Sequence, residues 1–345
     1  MKIAFFDTKP YDKLYFAPFA AEKGYEIDFF EYKLKKDTAQ LTKGYDVVCV
    51  FVNDSVDEDV INTLYENGVR LIALRSAGYN HVDFKAAFEK IHVVRVPEYS
   101  PAAIAEHAAA LLLSINRKVH RAYVRTRENN FSINGLMGFD LRGKKAGVIG
   151  TGKIGRLFIE IMRGFGMDVI AYDPYPLQNS DIVYVSLDTL LASADIISMH
   201  CPLTPETHHM INKNSIAQMK KGVLFVNTSR GALVDTPALI DALKAGQIGA
   251  AGLDVYEEEE RYFFEDFSDQ VVGDDELTIL LSLPNVLLTA HQAFFTKEAM
   301  ETIARVTIDN IASFAAEEVL TNEVCYQCQE FGTKCKKEAG AKRCF

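Results

Sequence analysis

The sequence has no apolar run approaching the roughly 18 uninterrupted residues that a bilayer span requires. Its opening stretch, Met1-Lys2-Ile3-Ala4-Phe5-Phe6-Asp7, meets charge too soon to hold the apolar core of a secretory signal. Membrane insertion and export are therefore not expected, and the chain is assigned to the cytoplasm. Basic residues are in deficit: 37 Lys and Arg against 47 Asp and Glu leave a net charge of −10. That charge is spread along the chain, so no broad basic face is available to neutralise nucleic-acid phosphates. Cysteine is scarce, and six in 345 residues are too few for a secreted disulfide scaffold. Cys49 and Cys201 sit in apolar, strand-like runs where a reduced, buried thiol is expected. Neither a 20–50-residue repeat nor a low-complexity linker is found, which excludes solenoids and tethered modules.

What is present is an ordinary globular composition, 48% hydrophobic and 24% charged. At about 150 residues per domain the length suggests two domains. Over the first hundred residues, apolar runs at 2–6, 26–32, 47–53, 70–75 and 93–96 read as buried strands. Amphipathic stretches near 11–23, 57–67 and 83–90 read as helices between them. Strands alternating with helices imply parallel pairing through right-handed crossovers, hence an α/β layer fold. At Ser100-Pro101 a favoured helix cap precedes a favoured first helical residue, and an Ala/Leu-rich helix is expected to run to about Arg117. The rhythm then resumes with strands at 145–149, 168–172, 182–185, 195–200, 222–227, 249–254 and 285–289. From Thr296 the residues Ile303, Val306, Ile311 and Phe314 recur at helical spacing, and this helix is expected to return to the first domain. The expectation is two Rossmann-like or flavodoxin-like parallel-sheet domains with a cleft between them: a discontinuous substrate-binding domain at 1–100 and 297–345, and a dinucleotide-binding domain at 101–296.

Gly150-Thr151-Gly152-Lys153-Ile154-Gly155 fits G-x-G-x-x-G, a weak signal alone. Here it follows the strand Ala146-Gly147-Val148-Ile149 and opens a helix with Ile154, Leu157, Phe158, Ile161, Met162 and Phe165 at a 3.6-residue period. In that context the glycines serve the tight turn, the close approach of backbone to a pyrophosphate, and close helix–strand packing. Asp173 closes the next strand, about 20 residues on, where an acidic residue accepts from the adenosine ribose. Its charge would repel a 2′-phosphate, so NAD is expected rather than NADP.

Hydride transfer to a keto acid needs a cation for the carboxylate, a proton donor for the developing alkoxide, and a partner for that donor. Arg230, His291 and Glu259 follow successive strands of the second domain, where open α/β sheets place ligands. Each has a plainer reading, since strand-end arginines usually make surface ion pairs and a lone histidine is usually structural. Within Glu257-Glu258-Glu259-Glu260 chemistry alone does not say which carboxylate points inward. His208 and His209 adjoin each other with no acidic or thiol partner at metal-ligand spacing, so they read as ordinary loop residues and no metal is expected.

A resemblance narrows these alternatives. Over residues 1 to about 320 the chain resembles the D-2-hydroxyacid dehydrogenases. The motifs fall in their order: Arg75-Ser76-Ala77-Gly78, Val96-Pro97-Glu98-Tyr99-Ser100-Pro101, the Gly150 turn, His200-Cys201-Pro202-Leu203-Thr204, Asn227-Thr228-Ser229-Arg230-Gly231-Ala232-Leu233-Val234-Asp235, Leu253-Asp254-Val255-Tyr256-Glu257 and His291-Gln292-Ala293-Phe294. The resemblance implies that Arg230 binds substrate, His291 donates the proton and Glu259 pairs with it. It implies that Ala77 and Gly78 give backbone N–H groups to the substrate carboxylate, and that Tyr99 lines the pocket. It places Lys153, Ile154, Asp173, Cys201, Pro202, Thr228, Ser229 and Asp254 beside NAD together with Gly150, Gly152 and Gly155, Asp254 near the nicotinamide amide. For His200, cofactor contact and strand-end packing both stay open.

The loop from Tyr256 to Leu283 resembles that of bacterial fermentative D-lactate dehydrogenases, which implies pyruvate as substrate and D-lactate as product. A dehydrogenase for a larger 2-keto acid, and a NAD(H)-sensing binding protein, are the alternatives. A homodimer or higher homo-oligomer is expected. The resemblance does not cover the Lys-rich C-terminus with Cys325, Cys328, Cys335 and Cys344, for which zinc binding, a redox pair or an exposed tail without structure are the readings.

Overall fold

The computed structural model describes residues 1–327 and 340–345. The chain divides into two compact units, one formed by Met1–Ser100 with Thr296–Phe345 and the other by Pro101–Phe295. In the first unit the strands are β1 (Lys2–Phe5), β2 (Glu26–Phe29), β3 (Val47–Val50), β4 (Leu71–Leu74) and β5 (His92–Val94). They form one parallel sheet in the order β2-β1-β3-β4-β5. That is the flavodoxin-like order. β3 and β4 are buried along their whole length, as strands covered on both faces must be, and this is why their sequences are continuously apolar rather than alternating. The C-terminal helix Lys297–Ala315 is capped by Thr296, whose Oγ1 accepts from Ala299 N, and it packs against the helix Pro10–Glu22 and β4 of this unit.

The second unit carries β6 (Lys145–Ile149), β7 (Asp168–Tyr172), β8 (Val183–Tyr184), β9 (Ile196–Met199), β10 (Val223–Asn227), β11 (Ile248–Leu253) and β12 (Val286–Leu288). All pair in parallel, in the order β12-β11-β10-β9-β6-β7-β8. This is the doubly wound dinucleotide-binding order extended by one strand, and the order reverses between β6 and β9, where such sheets open a crevice for ligands. The helix Pro101–Arg117 begins at the expected proline and lies across β10 and β11.

Each expected strand is present, usually shorter, because the last residues of an apolar run leave the ladder to begin the connection. Three expectations need correction. The helix after Arg117 was not anticipated: Lys118 adopts a left-handed φ of 52°, and a second helix, Val119–Arg127, follows with no buried residue. Its apolar residues Val119, Tyr123 and Val124 stay exposed, so the helix buries no face on the core of its unit. In Lys297–Ala315 the buried stripe runs through Ile303, Ala304, Thr307, Ile308 and Ile311, while Val306 and Phe314 are only half-buried.

The third correction concerns the tail. Cys344 N donates to Glu323 Oε2 at 2.9 Å and Phe345 stacks on His92 at 4.3 Å, so the chain end packs on the first unit rather than lying exposed. Cys325 and Cys344 are buried. Cys328 and Cys335 lie outside the described residues.

Candidate active site

Six strand ends of the second unit carry the candidate site residues. At the end of β6, Gly150 takes a φ of +94° and donates to Tyr172 O at 2.8 Å. A Cβ there would lie 2.6 Å from the His200 carbonyl, and one on Gly155 would lie 2.0 Å from Gly150 O, so neither position admits a side chain. Gly152 is the reverse: a Cβ there meets nothing within 4 Å. It caps the helix Lys153–Gly164, and no side chain closes that helix start. An open cradle over an uncapped helix N-terminus suits a pyrophosphate. Lys153 is exposed and Ile154 half-buried beside it.

Asp173 ends β7. Its Oδ2 accepts from Thr151 N at 2.7 Å and Thr151 Oγ1 at 2.9 Å, and its Oδ1 accepts from Tyr175 N at 2.9 Å. A carboxylate offers about four acceptor sites, so one on Oδ1 is left for a ribose hydroxyl. At the end of β9, His200 packs its ring 4.9 Å from Phe158 and pairs Nε2 with Ser198 Oγ at 2.9 Å. Burial pushes its pKa down to about 3, so it is neutral. The Cys201 thiol is buried against Met210 Sδ, burial pushing it up to about 11, while Cys201 O accepts from Ser229 Oγ and Pro202 is exposed. Thr228 Oγ1 is buried without a hydrogen-bond partner, an orphaned hydroxyl at the end of β10. Such an atom fits a missing ligand contact. The residues present therefore fit a dinucleotide.

Arg230 follows two residues later. Asn227 holds its loop, donating through Nδ2 to Arg230 O at 2.8 Å and accepting at Oδ1 from Ser229 N at 3.0 Å. Arg230 Nη1 donates to Ser229 O at 2.7 Å, and among the described residues the guanidinium has no carboxylate partner. An unneutralised, half-buried arginine at a strand end is a ready anion site. A Cβ on Gly231 would sit 2.1 Å from Tyr256 C. This glycine thereby lets the Arg230 loop lie directly against the backbone leading to Glu259.

The four-glutamate run resolves by backbone geometry. A 3₁₀ turn at Glu259–Arg261 directs Glu259 inward, where Oε2 accepts from Tyr256 N at 2.9 Å and Oε1 lies 2.6 Å from His291 Nδ1. The other ring nitrogen, Nε2, takes no hydrogen bond among the described residues. His291 holds a left-handed φ of 50°, an uncommon conformation for a residue with a side chain. Its N–H donates to Asp254 O at 2.8 Å.

Asp254, expected beside the cofactor amide, is fully buried and offers no open surface. Its Oδ1 accepts from Gln292 N at 2.9 Å and from Thr289 Oγ1, and its Oδ2 from Ala293 N at 2.8 Å. It is the staple of the turn that presents His291. His107 Nε2, 3.3 Å from Asp254 Oδ1 and 3.1 Å from Thr289 Oγ1, completes this support. Nothing in the sequence singled out His107, a histidine in mid-helix. Glu257 turns away to His209, with Oε1 and Nε2 2.7 Å apart, so His209 does have an acidic partner, 48 residues on in sequence.

In the first unit, the end of β4 shows a different device. Gly78 O accepts from Ser76 Oγ at 2.7 Å, Ala77 O from Arg95 Nη1 at 2.9 Å and Ser76 O from Val96 N at 3.1 Å. The carbonyls are occupied, whereas the Ala77 and Gly78 N–H groups take no acceptor among the described residues. Tyr99 lies at the end of the same unit's first segment.

Fold and site together define a dinucleotide-dependent α/β oxidoreductase. Residues 109–293 match the family model for the NAD binding domain of D-isomer specific 2-hydroxyacid dehydrogenases. The D-lactate dehydrogenase of Escherichia coli is 48% identical over 328 residues, covering 94% of this chain and 100% of that protein. The solved pyruvate reductase of Chlamydomonas reinhardtii superposes with a TM-score of 0.89 at 47% identity, over 93% of this chain and 98% of that one. An NAD-complexed D-isomer specific 2-hydroxyacid dehydrogenase from Lactobacillus delbrueckii superposes with a TM-score of 0.80 at 32% identity, over 94% of this chain and 100% of that one. The chain belongs to the D-isomer specific 2-hydroxyacid dehydrogenase family and uses NAD. Among the described residues no helix is long and apolar enough to cross a membrane.

Proposed function

We propose that the protein reduces pyruvate to D-lactate with NADH. The observation that carries this reading is an arginine without a carboxylate partner, Arg230, in the same unit as a histidine locked through Nδ1 by Glu259. NADH, when bound, supplies the hydride. The Arg230 guanidinium holds the substrate carboxylate and polarises the carbonyl. His291 Nε2 passes its proton to the alkoxide as it forms, and Glu259 keeps the ring in the tautomer and orientation that this transfer needs. Ala77 and Gly78, through their unused N–H groups, and Tyr99 are further substrate contacts in this proposal. Lys153, Ile154, Cys201, Pro202, Thr228 and Ser229 are the proposed cofactor contacts beside the glycines and Asp173. Pyruvate is favoured by the similarity to a D-lactate dehydrogenase and a pyruvate reductase at close to half identity.

The test is kcat/KM with NADH for pyruvate, 2-ketoisocaproate, phenylpyruvate, hydroxypyruvate and glyoxylate, with the product's chirality determined. Pyruvate should lead and give the D-isomer. A lead for 2-ketoisocaproate or phenylpyruvate would move the substrate to a larger acid, and failure on all five would favour a NAD(H)-sensing protein.

We also propose a homodimer formed through the exposed apolar side chains Val119, Tyr123, Val124, Phe131, Ile133 and Met137, which cluster in one stretch of the second unit. Light scattering on the purified protein should give twice the 38.5 kDa chain mass, and Ile133→Asp should lower it. The buried thiols of Cys49 and Cys201 support a reducing cytoplasmic setting.

A further inference from the structure

His208, His209 and Glu257 form a cluster that the dehydrogenase reaction does not use. Their ligand atoms lie within 4.8 Å of one another. The two imidazoles are stacked with centroids 3.9 Å apart, and His209 Nε2 is 2.7 Å from Glu257 Oε1. His209 is firmly built in. Its N–H donates to Ala232 O at 2.9 Å, its carbonyl accepts from Asn212 Nδ2 at 2.8 Å, and it holds a left-handed φ of 48°. His208, by contrast, is exposed and has room to turn.

We propose that His208, His209 and Glu257 are a binding site for a divalent transition cation of the zinc class. Two imidazoles and one carboxylate are a zinc donor set that leaves a coordination position for water. With Zn–N and Zn–O bonds near 2.0–2.1 Å, a tetrahedral site needs donor atoms about 3.3 Å apart. Reaching this separation takes a rotation of His208 and a withdrawal of Glu257 from the 2.7 Å hydrogen-bond distance it holds to His209 Nε2. That rotation is also required because nitrogen lone pairs lie in the ring planes, and stacked rings do not aim theirs at one point. The proton shared between His209 and Glu257 leaves as the metal enters. Glu257 stands two residues before Glu259, so an occupied site ties down the backbone that carries the partner of His291.

The experiment is a titration of the purified, chelator-treated full-length protein with zinc by calorimetry, with cobalt(II) absorption as a second reading. One zinc should bind per chain through this site, and His208→Ala should weaken it at least ten-fold while leaving the melting temperature and pyruvate turnover without metal unchanged. Glu257→Gln should weaken it likewise. His291→Gln should bind zinc as the wild type does. The cobalt spectrum should show tetrahedral ligand-field bands without the near-ultraviolet thiolate charge-transfer band that cysteine ligands produce. Zinc affinity untouched by His208→Ala, binding lost only with His291→Gln, or a thiolate band would each overturn the assignment, the last two by placing the metal at the active site or on the tail cysteines.

Discussion

The sheets of the two units are both parallel, yet their strand ends treat charge in opposite ways. After β10 of the second unit comes Arg230, half-buried and without a carboxylate partner. After β4 of the first comes Arg75, only 3% exposed, lying over the rings of Phe5 at 4.4 Å and Phe51 at 4.9 Å. Arg75 donates through Nη2 to Asp7 O at 2.9 Å and stands 3.7 Å from Asp12 Oδ1. Asp54, also buried, is pushed up to about 7 by burial against the pull of Arg75. An arginine after a buried strand thus has no fixed task. In the second unit it is left without a carboxylate partner among the described residues. In the first it is the buried counter-ion that anchors the segment leading to Ala77 and Gly78.

The comparison breaks first on chemistry. His291→Gln should lower kcat/KM in both directions by on the order of 10²–10⁴-fold, the span of general acid–base catalysis. Steady-state rates check this, and a loss below ten-fold would remove His291 from that role.

The two arginines give the next largest effect, in different observables. Arg230→Met should cost about 10²-fold or more in turnover, as for removal of a transition-state charge partner, with an unchanged melting temperature. Arg75→Met should leave buried carboxylates unpaired and destabilise the fold by about 3–5 kcal/mol, lowering the denaturant midpoint. Equal melting temperatures for the two variants would erase the distinction between the strand ends.

A smaller effect is expected in cofactor choice. NADH should exceed NADPH by about ten-fold or more in kcat/KM, roughly 1.4 kcal/mol, and Asp173→Asn should narrow the gap. Equal use of both cofactors by the wild type would contradict the role given to Asp173.

The last effect is on pH stability. Each unit holds a neutral histidine: His81 is lowered to about 4 by burial and then by Arg75, and His200 to about 3 by burial. Because the unfolded chain takes up these protons first, near pH 6.5, stability is full above that value and declines as pH falls toward 4 and 3. His200→Asn should make the fall of melting temperature between pH 6.5 and 4 shallower. A slope identical to the wild type would mean that His200 is not held neutral.

The twelve apolar runs became twelve strands, and the inner ones, β3, β4, β9 and β10, are buried along their whole length, which is why composition alone announces them. Ser100-Pro101, Thr296 and the Gly150 turn marked their boundaries through backbone preferences that need no distant partner. The helix Val119–Arg127 was invisible because it buries nothing within the chain. His107 was invisible because its work depends on Asp254 and Thr289, brought to it only when Pro101–Arg117 crosses the sheet. The packed end of the tail was likewise hidden, since Phe345 finds His92 from the far end of the chain.

The sequence by itself determined the alternation of strands and helices, the dinucleotide turn with Asp173 after it, and the residue types available for chemistry. Residue chemistry left the choice within 257–260 open and the resemblance pointed to Glu259, which the tertiary structure brings to His291 across 32 positions; only the tertiary structure decided that Glu257 meets His209 across 48 and that Asp254 is a staple. The physical reason is register. Parallel strands bring successive strand ends to one edge of the sheet, and which side chains meet there depends on how neighbouring loops pack. The Gly231 loop, for example, lies against Tyr256 with no room for a Cβ. No window of sequence contains that packing.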